Sequence, residues 1–183
     1  MFRHVLAAAV LVAGVAAGTT ASAQSFQTHV TYAGPRVWLG NLDGAVALGA
    51  QAERGLTIPG HYGPGVISAG VGVDWYSWSA SYVYPGYSAS WHYSVLPLQV
   101  FSNYHFPVKS TPQFDPYAGL SLVYSVVSAS WVGPGVSTVS ATGSSLDLAG
   151  QAGARWYFSD RFSVQGQVGF GYGTLGLGAT WVF

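Results

Sequence analysis

Trp91-His92-Tyr93-Ser94 sets a histidine and a serine two residues apart. In an extended strand that spacing puts both side chains on one face. An imidazole beside a hydroxyl is the core of a nucleophile–base pair: His92 would take the Ser94 proton, provided a carboxylate held the ring. The chain offers one glutamate, Glu53. Metal chemistry has no such starting point. His29, His61, His92 and His105 are scattered, cysteine is absent, and no HExxH spacing occurs, so neither a metal site nor a cofactor is expected. The glycines form no phosphate loop; they alternate within apolar stretches, where they let neighbouring side chains and strands fit.

The remaining candidates are ionisable residues at strand-like positions: Arg36, Glu53, Asp74, Asp147 and Arg155. Each lies on the polar side of a stretch that alternates with period two, the signature of a half-buried strand. Residues 162–172 are clearest. Phe162, Val164, Gly166, Val168, Phe170 and Tyr172 share one side, and Ser163, Gln165 and Gln167 the other. Further stretches are read at residues 45–53, 67–78, 93–105, 116–128, 146–158 and 175–183. An eighth strand is expected at residues 36–40, late and short because Pro35 precedes it. Gln51, Gln99, Asn103, Gln151, Gln165 and Gln167 join the ionisable groups on the polar faces. Buried charges need partners, so Arg36 and Arg155 are expected to pair with Asp74, Glu53 or Asp147, with Gln151 beside them.

Which face meets solvent is decided by charge. Only 7% of the 183 residues are charged while 15% are aromatic, against about 25% charged in soluble domains. Net charge is +0, which gives no pull toward nucleic acid. A soluble, lipocalin-like barrel would need a wetter exterior. Turned inside out, with apolar residues on lipid and the few charges in a narrow lumen, both faces are satisfied, and a closed barrel pairs every backbone group without water. Trp75, Tyr104, Trp156, Phe158, Phe170, Tyr172, Trp181 and Phe183 fall near strand ends, as interfacial girdles do. The start of the chain agrees. Phe2-Arg3-His4, a small-apolar run and Ala21-Ser22-Ala23 read as a signal peptide of residues 1–23. Residues 24–35 then form an N-terminal periplasmic segment, and residues 36–183 the barrel.

With "FSNYHF…FDPYAGLSLVY", "GARWYFSDRFSVQGQVGFGYG" and the terminal "ATWVF", the chain resembles the small bacterial outer-membrane β-barrels of the OmpA/OmpX type. The fold expected is all-β: an eight-stranded antiparallel up-and-down transmembrane β-barrel, closed by pairing of the first and last strands. The resemblance implies periplasmic termini, outer-membrane lipid as surroundings, a monomer, and recognition of Phe183 by the barrel-assembly machinery. The turns at 56–64, 105–115 and 159–161 are then periplasmic, and 41–44, 79–92, 131–145 and 171–174 are outer loops. His92 and Ser94 also resemble the His-x-Ser pair of the outer-membrane lipid A deacylases, but Val95 stands where those barrels carry asparagine.

The reading is therefore a non-enzymatic outer-membrane barrel with a structural or surface-interaction role and a lumen filled by polar side chains. The alternatives are a lipid A-modifying hydrolase using His92 and Ser94, and a narrow channel. Tyr82, Tyr84, Tyr87 and Trp91, interleaved with Ser, Ala, Gly and Pro, could contact an unidentified extracellular ligand, because tyrosine gives amphipathic area at low entropic cost.

Overall fold

The computed structural model describes residues 26–133 and 139–183; the expected signal peptide lies outside them. Eight strands follow in order: β1 Thr31–Leu39, β2 Val46–Gly55, β3 Val66–Tyr84, β4 Tyr87–His105, β5 Phe114–Val132, β6 Val139–Ser159, β7 Phe162–Phe170 and β8 Leu175–Val182. Each pairs antiparallel with its neighbours in sequence, and β1 pairs with β8 to close the barrel. At the seam Phe183 N donates to Thr31 O at 2.9 Å, so the chain's aromatic end is tied into the wall and leaves no free edge there.

The first strand begins at Thr31 rather than at the expected Arg36, and Pro35 sits inside it. The reason is a break in one ladder. Pairing with β2 runs through Pro35↔Ala50, whereas pairing with β8 passes from Ala33↔Trp181 to Arg36↔Gly178. The missing proline amide falls where β1 and β8 are not in register contact, so its cost is small. Residues 31–35 thus belong to the barrel, not to a periplasmic segment.

Alternation sets the two faces as charge patterning requires. Val71, Val73, Leu98, Val100, Leu120, Leu122, Leu148, Val168 and Leu177 are exposed on the outside, while Gln51, Glu53, Asp74, Gln99, Asn103, Arg155, Gln165 and Gln167 are buried within. Phe114, Trp156, Phe158, Phe162 and Trp181 form neighbouring ring contacts around the terminal end. Tyr172 departs from its expected lipid-facing position and is buried. Gly171, at φ 83, breaks the period after Phe170 and turns the next side chain inward, where Tyr172 meets Trp38 at 5.6 Å between ring centroids. A side chain at 171 would strain that backbone and meet Leu148 O at 2.6 Å.

Strand length is the second departure from expectation. The segments 79–92 and 131–145 are not loops as a whole. β3, β4 and β5 each run 19 residues and β6 runs 21, whereas β1, β2, β7 and β8 have 9, 10, 9 and 8. Tyr84 pairs with Tyr87 across Pro85-Gly86. Proline presets the first central φ and Gly86 supplies the positive one, at 92, as a type II turn requires. Half of the wall therefore continues as a four-stranded sheet past the rim set by the short strands.

Candidate functional site: the polar interior and the projecting sheet

The interior is layered. Near the terminal end Phe26, Tyr32, Val66 and Tyr157 form one apolar cluster; near the other end Trp38, Leu42, Ala47, Val123, Ala149 and Tyr172 form a second. The polar groups lie between them, held by strands that are adjacent around the ring. Inward positions recur every second residue, so three consecutive strands can each aim a group at one point.

Glu53 is such a point. It accepts hydrogen bonds from Ser68 Oγ at 2.6 Å, Asn103 Nδ2 at 2.8 Å and Arg155 Nη2 at 2.7 Å, and its Oε1 lies 3.0 Å from His105 Nε2. His105 Nδ1 lies 2.9 Å from Asp115 Oδ1, and Gln151 Nε2 donates to Asn103 Oδ1 at 2.8 Å. Arg155 also donates to Gln165 Oε1 at 3.1 Å. Its guanidinium lies over the rings of Phe26, Tyr32 and Tyr117, at 5.3, 5.1 and 5.9 Å. A separate pair sits nearer the other cluster. Arg36 forks onto Asp74, Nε to Oδ1 at 2.8 Å and Nη2 to Oδ2 at 2.6 Å, and Nη1 donates to Gln51 Oε1 at 3.2 Å. Gly72 makes room for that fork, since a Cβ there would collide with Arg36 Nη2.

Five of the six expected interior residues, Arg36, Glu53, Asp74, Gln151 and Arg155, thus take part in buried contacts. Asp147 does not. It shares the inward parity of Ala149 but is exposed, bonded to Ser145 Oγ at 2.9 Å, because β6 has by then passed the rim of the short strands. Two partners were missed from sequence. In the linear chain His105 reads only as one of several scattered histidines, at the end of the alternating stretch 93–105. Asp115 falls at the end of the expected 105–115 turn, although its parity with Tyr117 and Ser121 marks it as inward on β5. Phe26 was missed as well: it stacks on His105 at 3.6 Å and 7°, held by the bridge of Thr28 to Gly55.

His92 and Ser94 do not form a nucleophile–base pair. Both face outward, but Ser79 Oγ lies 2.8 Å from His92 Nδ1 and Ser90 Oγ 3.1 Å from Nε2, while Ser94 Oγ accepts from Trp75 Nε1 at 2.9 Å. Neither imidazole nitrogen therefore meets Ser94, and neither meets the carboxylate that would have to orient the ring. Glu53 is on the opposite side of the wall. Of the tip residues, Tyr82 is exposed and Trp91 half-buried, 5.3 Å from Trp131 between ring centroids; Tyr84 and Tyr87 contribute the backbone pair that closes the hairpin.

A closed ring of eight antiparallel strands, apolar outside and polar within, defines the fold of the small transmembrane β-barrels. Solved structures share it. The chain is similar to a de novo designed transmembrane β-barrel, with a TM-score of 0.56 and 14% identity over 86% of this chain and 98% of that one. It is also similar to the N-terminal β-barrel domain of OprF from Pseudomonas aeruginosa, at TM-score 0.51 and 15% identity over 85% and 98%. Ail, the attachment invasion locus protein of Yersinia pestis, crystallised with the heparin analogue sucrose octasulfate, matches at TM-score 0.52 and 14% identity over 84% and 95%. At such identities the likeness is one of fold. No family model matches the chain, and no curated protein sequence matches it.

Proposed function

We propose that this protein is a non-enzymatic barrel of the bacterial outer membrane, with periplasmic termini, whose work is done by the projecting half-wall as a surface-contact element. The observation that carries this reading is the mismatch in strand length. Four strands of 19–21 residues stand beside four of 8–10, and about 9–11 residues suffice to cross a bilayer. The surplus is confined to contiguous strands, so it forms one sheet above the lipid belt. Past their last partners, β3 beyond Trp75 and β6 before Gly150 have no neighbour on one side among the described residues. Free strand edges are templates for an added strand, and no Lys, Arg, Asp or Glu guards the β3 edge between Asp74 and Tyr84. The bonded polar layers and the two apolar clusters support a lumen that does not conduct.

The test is replacement of residues 81–90 by Asn-Gly, which closes a two-residue hairpin after the Ala80↔Trp91 pair. A surface-contact role predicts that the shortened protein folds and loses binding to host cells or to neighbouring surface proteins. Undiminished binding would overturn it.

A further inference from the structure

Just past the apolar belt the outward face of β3–β6 changes character. Leu96 and Val126 are opposed at the rim, beside Trp75. One step along the strands, Ser77, Ser94, Ser128 and Thr142 stand side by side in register. One further step brings Ser79, His92, Ser130 and Ser140 into a second row. The two rows wall a groove of about 430 Å³, whose floor is the intervening row from Trp78 to Ala141. It crosses four strands, three inter-strand spacings or about 14 Å.

Every wall group is a hydroxyl or an imidazole, each able to donate and accept. Formal charge is absent: the sequence has no Lys, Arg, Asp or Glu between Asp74 and Lys109 or between Asp115 and Asp147. Arg54, Lys109 and Arg161 lie at the terminal end of the barrel, in or beside the turns that follow β2, β4 and β6. No permanently charged side chain lines the groove to neutralise a phosphate or sulfate, whereas two parallel rows of hydroxyls suit a neutral polyol. The groove is also continuous with the lipid-facing belt, through Trp75, whose indole bonds Ser94 in the first row.

We propose that this groove holds the uncharged sugar headgroup of a glycolipid in the adjacent leaflet. The proposal rests on the reading that β3–β6 project beyond the lipid belt. It concerns the outward face rather than the hairpin tip, so the two fail separately.

The experiment uses the full mature chain in phosphatidylcholine nanodiscs doped with digalactosyldiacylglycerol or with phosphatidylglycerol, and counts retained lipid by native mass spectrometry. Wild type should retain the digalactosyl lipid about tenfold better than phosphatidylglycerol, the factor expected from one or two net hydrogen bonds. Ser94→Val with Ser128→Val, an opposed pair in the first row, should remove the preference. Valine keeps strand propensity, and heat-modifiable migration reports folding. Ser130→Phe, which obstructs the groove from the second row, is the independent variant should the first fail to fold. The Asn-Gly replacement of 81–90 should leave retention intact. Equal retention of both lipids by wild type, or an unchanged preference in the folded variants, overturns the proposal. So does displacement of the lipid by soluble maltose, which would make the ligand a free sugar.

Discussion

Removing Glu53 should damage the barrel more than removing Arg155, although the two are partners. Glu53 is the acceptor for Ser68, Asn103 and Arg155 and lies against His105. Arg155 has one carboxylate and one amide oxygen, with its remaining guanidinium nitrogens facing rings rather than acceptors among the described residues. Glu53→Ala leaves a guanidinium buried to 1% exposure without its counter-charge, which costs about 3–5 kcal/mol when one member of a buried pair is removed. Arg155→Met deletes the bonds to Glu53 and Gln165 and keeps most of the side-chain volume, while Ser68, Asn103 and His105 still hold the carboxylate; a loss of about 1.5–3 kcal/mol is expected. Glu53→Leu with Arg155→Met should cost less than the sum of the singles, since neither charge is then orphaned. The assay is urea unfolding and refolding in lipid vesicles, read by tryptophan fluorescence and by heat-modifiable migration. If Arg155→Met is as destabilising as Glu53→Ala, or if the double variant is strictly additive, the hub assignment is wrong.

The lipid belt should end between Val126 and Ser128. Leu122→Arg, on the outer face, should destabilise the reconstituted barrel by about 2–4 kcal/mol near the bilayer midplane, whereas Ser130→Arg should stay within about 0.5 kcal/mol; similar costs would move the rim. Gly171→Val, at φ 83 with Leu148 O in its way, should lose about 1–3 kcal/mol from backbone strain, measured by the same unfolding titration. In planar bilayers the wild type should give no discrete conductance steps, and steady openings would favour the channel. His92→Ala should leave lipid A acylation unchanged by mass spectrometry; loss of an acyl-chain difference between expressing and non-expressing cells would revive the hydrolase.

Much of the architecture was open to inspection in the linear chain because strand periodicity is local. A two-residue period with the charges, Arg54 at the end of β2 apart, on one phase identifies the faces of β2 through β8 without any knowledge of the partners. Gln51, Glu53, Asp74, Gln99 and Arg155 could therefore be placed inside, and Leu98, Leu122 and Trp156 outside. The same rule failed where a neighbour intervened. Pro35 looked like a barrier, yet it sits at a gap in the β8 ladder. Gly171 looked like one more small residue in an alternating run, yet its positive φ turns Tyr172 from the belt into the core.

Sequence alone determined the solvent of each face and seven of the strands, since those follow from the spacing of apolar groups and the scarcity of charge; the eighth strand and the closed ring were expected from the even count such barrels need. Tertiary structure decided which charges meet. Arg155 finds Glu53 across 102 residues, and Asp147, equally eligible by parity, is left in solvent, because inward groups are matched by their height along the barrel axis. That height is set by strand register, and register depends on the ladder as a whole rather than on any one strand. The serine rows of the projecting sheet are legible only in the same way. Ser77, Ser94, Ser128 and Thr142 are unremarkable apart, and become one wall when four strands align them.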